Sequence, residues 1–174
     1  MLNVAGADMA HYYGLPFFGT AGCTDSKLPD EQAVAEGTSH LLMAMLSGTN
    51  LIHDIGYIES AMTISFEQVV MMDEIYAMLD RIARGIAVND EELALNVIED
   101  VGPGGHFLAH KHTLKHMRDH FMPKLIDRRR YDHWKRDEGK TFLQRAREKL
   151  AEILSKHEPE KLPRDVEEEV KRAV

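Results

Sequence analysis

A helix-rich α/β fold with short parallel strands is expected from three features of this chain of 174 residues. Two short apolar segments, 15–19 (LPFFG) and 50–56 (NLIHDIG), read as strands. Each feeds a polar turn. Each turn then runs into a helix whose apolar residues recur at three and four positions. Strand, polar turn and helix, repeated in that order, are the grammar of a parallel sheet covered by helices. Ligands in such folds sit beyond the carboxyl ends of the strands, which here carry residues 19–27 and 53–59.

Taken in order, residues 7–13 (ADMAHYY) read as the end of a helix, stopped by Gly14 with Pro16 just beyond. After the first strand comes the turn TAGCTDSKLPD, with Asp30 as the N-cap of a helix over 31–46 that carries Leu41, Leu42, Met45 and Leu46. Gly48 and Asn50 end it, and the second strand follows. Ser65 caps a long helix over 66–85, whose Val69, Val70, Met72, Ile75, Leu79 and Ile82 share a face. Asn89 is the N-cap expected for a helix over 90–100, and GPGG at 102–105 breaks the chain. A helix is expected over 110–121, ended by Pro123, and 125–134 (LIDRRRYDHW) reads as irregular or extended. A last helix is expected over 140–156, and the charged tail after His157 reads as a loosely attached helix or frayed end. The organisation expected is therefore strand–helix units over 1–89, a helical extension over 90–156 and a tail over 157–174.

Composition excludes several classes. The chain is 44% hydrophobic, 29% charged and 7% aromatic, ordinary for a globular protein. Its 29 acidic and 21 basic residues give a formal charge of -8, which speaks against a nucleic-acid partner. Cys23 is the one cysteine, so no internal disulfide can form and a reducing, cytoplasmic setting is expected. Apolar runs break well before the roughly 18 residues of a bilayer crossing, and the start MLNVAGADMAHYYG lacks a signal-peptide pattern. No membrane partner is expected.

Residues 19–33 (GTAGCTDSKLPDEQA) place Asp25, Lys27 and Asp30 on one glycine-bearing loop without the GKS or GKT of a phosphate loop. They form either a tight strand-to-helix connection or the charged rim of a pocket. Cys23 has no obvious base nearby and reads as a small buried hydrophobe. His53 and Asp54 follow a strand directly; they share a face only if the strand has already ended. His106, His110, His112, His116 and His120 crowd one segment, with His112, His116 and His120 on one helical stripe. No HExxH is present, and the stripe reads as a solvated face rather than a metal site. The basic stretch 115–136 is interleaved with Asp119, Asp127 and Asp132, an ion-paired surface.

Three motifs stand in order: HYYGLPFFGTAGCTDSKLPDEQA, GTNLIHDIGYIESAMTISFEQVVMMDEI and VGPGGHFLAHKHTLKHMRDHFMPKLIDRRRYDHW. Together, over about residues 8–156, they resemble the C-terminal part of the trimethylamine methyltransferase family. That resemblance implies the C-terminal portion of a TIM (β/α)8 barrel with a helical C-terminal extension. It implies transfer of a methyl group from a methylated amine to the cobalt of a corrinoid carried by a partner protein, with no cofactor held directly. No pyrrolysine stands in the chain, and the resemblance then points to members acting on glycine betaine and similar quaternary amines.

A methylated ammonium is a diffuse cation that binds aromatic faces and carboxylates. Phe17, Phe18 and Tyr57, with Asp25, Asp54 and Glu59, are of those types at the strand mouths. His53 is the first candidate for a catalytic residue that contacts or orients substrate, with Lys27 and His106 behind it. An eight-stranded barrel takes about 250 residues. A fragment, self-associating into a homo-oligomer through exposed strand edges and inactive alone, is therefore the expectation. The alternatives are a methylated-amine-binding module without chemistry and a histidine-rich metal-binding protein.

Overall fold

Two three-residue strands set the geometry of the molecule. β1 (Phe18–Thr20) lies parallel to β2 (Leu51–His53), pairing Phe18 with Leu51, Gly19 with Ile52 and Thr20 with His53. The computed structural model describes residues 1–173. A parallel pair needs a crossover, supplied here by α2 (Glu31–Leu46). Asp30 caps α2, its side chain accepting from the Ala33 amide at 3.0 Å. The chain opens with α1 (Leu2–Tyr12).

After β2 the chain turns back in a small antiparallel hairpin, β3 (Tyr57–Ile58) with β4 (Thr63–Ile64). It then enters α3 (Phe66–Ala83), capped by Ser65, which accepts from the Gln68 amide at 3.2 Å. The hairpin is not foreshadowed by any strand-length apolar run. Its strands are two residues each, and Glu59, Ser60 and Ala61 take positive φ to close the loop. The first strand also sits later than the 15–19 expected. The Phe17 carbonyl accepts from the Asn50 and Leu51 amides as the ladder begins, while Phe17 donates to the Asn50 side chain at 2.8 Å.

The core lies where α2 crosses α3 over the helix-covered face of the sheet. Ala21, Leu41, Ala44, Met72, Ile75 and Leu79 form one buried cluster, with Val34, Met45, Ile52, Ile55 and Ile126 packed against it. Each large side chain buried there contributes about 1.5–3 kcal/mol. Gly37 admits Met72 to the α2 backbone: a β-carbon at Gly37 would lie 2.9 Å from the Met72 sulfur. A groove of about 670 Å³ runs along the outer side of β2 between α2 and α3, lined by Met45, Ile52, Ile55 and Tyr76. Among the described residues the β1–β2 sheet has two strands, so both of its outer edges are unpaired.

The remainder is helical: α4 (Asp90–Leu93), α5 (Leu95–Val101), α6 (Lys111–His116), α7 (Tyr131–Arg136), α8 (Phe142–Lys156) and α9 (Arg164–Ala173). The helix expected over 90–100 is split by Ala94 at φ 49, which starts α5 and leaves Val97 buried. The helix expected over 110–121 stops at His116, whose carbonyl accepts from the Asp119 amide in a turn. The segment read as irregular, 125–134, contains the start of α7, held by Trp134 donating to the Lys140 carbonyl at 2.9 Å. α8 has a capping box from Thr141 and Gln144 and packs on α3. No described helix is long and apolar enough to cross a membrane.

α3 also carries a buried carboxyl. Glu74, 6% exposed, accepts from the Leu125 amide at 2.8 Å and the Ile126 amide at 3.3 Å. Arg145 of α8 grips the same strap, donating to the Leu125 carbonyl and to Asp127.

Removing the Glu74 acceptor in Glu74→Ala strands two amides, and is expected to cost about 1–3 kcal/mol. Urea denaturation measures the loss, and amide exchange at Leu125 and Ile126 should accelerate. Gly56 sits at φ 92, and a β-carbon there would lie 2.2 Å from Val69 Cγ2. Gly56→Ala should therefore lose at least about 2 kcal/mol on the same measure, from strain and overlap together.

Candidate functional site at the carboxyl ends of the parallel strands

Alternation along β1 and β2 gives the sheet two different faces. Ile52 packs into the helical core, and a β-carbon at Gly19 would meet Thr49 and the Phe17 ring. Phe18, Thr20 and His53 point the other way, to the face that no helix of this unit covers. There the Phe18 and His53 rings lie 4.1 Å apart between centroids, and Thr20 Oγ1 lies 3.4 Å from His53 Nε2. Phe18 is 58% exposed, so the side of its ring away from His53 is free.

The ladder continues one step beyond the strands, with the Ala21 amide donating to the His53 carbonyl at 3.1 Å. Asp54 then turns to φ 72 and the strand ends. This removes the alternation that would have kept neighbouring side chains apart. The Asp54 carboxylate folds back onto His53 Nδ1 at 2.8 Å. With Nδ1–H donated to that carboxylate, the neutral imidazole presents its Nε2 lone pair to the Thr20 hydroxyl. The pair is partly open, with 35% and 25% of the His53 and Asp54 side chains exposed.

The loop after β1 is tied to both the hairpin and α2. The Thr24 amide donates to the Tyr57 carbonyl and the Glu59 amide to the Ser26 carbonyl. Ser60 donates to Asp25 at 2.7 Å, and Lys27 reaches back to the Asp25 carbonyl at 2.8 Å. Glu36 of α2 accepts from the Thr24 hydroxyl at 2.6 Å and the Asp25 amide at 2.9 Å. The Thr24 and Asp25 donors, with Gln32, hold the Glu36 carboxyl below its ordinary value. Burial, and then the Asp54 charge, push the Cys23 thiol up. That favours thiol over thiolate and leaves Cys23 a poor nucleophile.

The candidates named from sequence thus divide. His53, Asp54 and Phe18 are brought together. Asp25, Lys27 and Glu59 belong to the loop–hairpin network beside them, with Lys27 and Glu59 exposed and Tyr57 half-buried in β3. Phe17 lies on the helical side, against Gly6 of α1. His106 is exposed on the loop between α5 and α6. Thr20, Glu36 and Ser60 were not anticipated. Thr20, read from sequence as the first residue of the turn, ends β1 instead, whereas Glu36 and Ser60 reach the loop only through the fold.

Residues 1–174, the whole chain, match the family described as trimethylamine methyltransferase (MTTB). The chain belongs to that family. It is 39% identical over 166 residues to the trimethylamine methyltransferase MttB of Desulfitobacterium hafniense (strain DSM 10664 / DCB-2), covering 95% of this chain and 34% of the relative. It is 39% identical over 165 residues to the glycine betaine methyltransferase of Desulfitobacterium hafniense (strain Y51), covering 94% of this chain and 34% of that protein. The trimethylamine methyltransferase MttB of Methanosarcina thermophila is 36% identical over 166 residues, with 95% and 34% covered. The chain therefore spans about a third of the length of the curated relatives it matches.

Acidification tests how Glu36 organises the loop. Its folded value is depressed from the ordinary 4.5. Its contribution is therefore present above that value and lost as pH falls below it. Around it stand Asp25, Gln32 and His40, none of which Glu36→Gln removes. Denaturation midpoints of Glu36→Gln should fall less steeply below pH 4.5 than those of the parent chain.

Proposed function

We propose that this chain forms the amine-binding end of a corrinoid-dependent methyltransferase, acting on a quaternary amine such as glycine betaine. The observation that carries the reading is the meeting of Phe18, His53 and Asp54 on the helix-free face of the parallel pair. In a TIM barrel helices cover the outside, so the helix-free face looks inward and the strand ends form the mouth. The β1–α2–β2 unit, the free outer edges of the pair and the groove beside β2 suit further strands on either side. Two strands close no barrel, so the remaining strands come from another segment or chain.

A quaternary ammonium carries its charge spread over methyl groups, which favours an aromatic face and a nearby carboxylate over a single hydrogen-bond acceptor. The free side of the Phe18 ring supplies the first and Asp54 the second. His53, oriented by Asp54 through Nδ1, offers Nε2 to the substrate's own carboxylate when protonated. Thr20 keeps that imidazole in place. A corrinoid borne by a partner protein would supply the nucleophile for the methyl carbon; the C–N bonding pair would stay on nitrogen, so that a neutral amine would leave. No proton has to move, so what this chain's residues do is hold, aim and exclude water. The open face with exposed Phe18 and Leu51 suits the approach of a bulky group carried by another protein.

Titration of the isotope-labelled chain with glycine betaine, trimethylamine and, as control, unmethylated glycine tests the reading by NMR. The methylated amines should shift Phe18, His53 and Asp54, and glycine should not. Phe18→Ala should weaken binding about two- to fivefold, the worth of a cation–aromatic contact at a partly exposed site. Saturating methylated amine that leaves all three residues unmoved would sink the proposal.

A further inference from the structure

The histidine stripe of the helical extension acquires a third member from elsewhere in the chain. On α6, His112 and His116 stand one turn apart, and their rings lie 4.3 Å apart between centroids. Glu91 of α4 comes up against both. Its Oε1 lies 3.0 Å from His116 Nε2 and 4.0 Å from His112 Nε2, and the three donor atoms are mutually within 4.8 Å. Ligands around a tetrahedral zinc, at about 2.0–2.2 Å from the ion, sit about 3.3–3.6 Å from one another. The observed spacings straddle that value.

The surroundings fit a metal better than a plain ion-paired surface. Asp119 Oδ2 lies 2.6 Å from His116 Nδ1. That fixes the tautomer and leaves Nε2 as the coordinating nitrogen, the outer-shell carboxylate typical of metal-bound histidine. Two imidazoles and one carboxylate are a donor set for zinc, cobalt, nickel or copper rather than for magnesium or calcium. The location gives such an ion work to do: Val97 is the one fully buried residue described between 90 and 140. A segment so short of core is where a cross-link between two elements adds most.

We infer that Glu91, His112 and His116 form a binding site for a divalent transition metal that staples α4 to α6, with an open position for water. In this fold Lys115 Nζ occupies the Glu91 carboxylate at 2.5 Å, and His112 Nε2 donates to the Glu91 carbonyl at 2.8 Å. The metal displaces the ammonium and takes the place of the Nε2 proton on both His112 and His116. The reading is independent of amine binding at the strand ends.

Calorimetry of the full chain with zinc chloride is the test. One equivalent should bind. His112→Asn, His116→Asn and Glu91→Gln should each weaken it at least about tenfold, and Asp119→Asn about tenfold through the outer shell. Lys115→Gln should tighten binding by removing the competitor, and His120→Asn, outside the cluster, should leave it unchanged. Circular dichroism confirms that each variant is folded. The inference is overturned if the parent chain binds no stoichiometric zinc. It is equally overturned if the His112→Asn/His116→Asn double variant binds as tightly as the parent, or if His120→Asn lowers affinity as much as His116→Asn.

Discussion

Helix α3 is buried on two sides at once, and the rest of the structure depends on that. Met72, Ile75 and Leu79 face α2 and the sheet, while Glu74 and the neighbouring surface face the 125–127 strap and α8. The apolar side is secured by ordinary burial. The polar side is secured because the buried Glu74 carboxyl gives two part-buried backbone amides an acceptor. Through that carboxyl the helical extension is joined to the strand–helix unit.

The same packing decides what the strands present. With α2 and α3 fixed over one face, the register that pairs Gly19 with Ile52 sends Phe18, Thr20 and His53 to the other. A one-residue slip would invert this arrangement and bury the histidine. Asp54 completes the site because the strand stops beneath it. Its left-handed backbone, in the company of Gly22 and Gly56 at φ 77 and 92, brings a carboxylate onto the imidazole. Backbone conformation and chemistry are here one feature.

Membership of the trimethylamine methyltransferase family rests on the whole chain, and the relatives it matches act on small methylated amines by name. In this chain an aromatic face, a carboxylate and an oriented imidazole meet at the carboxyl ends of a parallel pair. The extension is a different kind of structure. Its helices are short, its side chains are mostly exposed, and ion pairs such as Asp127 with Arg129 and Arg145 hold its turns. Polar contacts there stand in for core.

Local signals were enough for α2 and α3, whose caps at Asp30 and Ser65 and apolar periodicity are written in consecutive residues. They were enough as well for the βαβ order and for His53 and Asp54 as residues at a strand end. They failed where long-range contacts outweigh local preference. The 90–100 helix breaks at Ala94 where Val97 becomes buried, and α6 stops where His116 meets Asp119. The two-residue strands of the hairpin are held by partners rather than by propensity. Which face His53 takes, that Phe17 turns to α1 while Phe18 turns to the site, and that Glu91 meets His112 and His116 are decided by tertiary structure alone. Spacing along a chain fixes which residues share an element. Which elements meet is fixed only once the core has chosen its crossings.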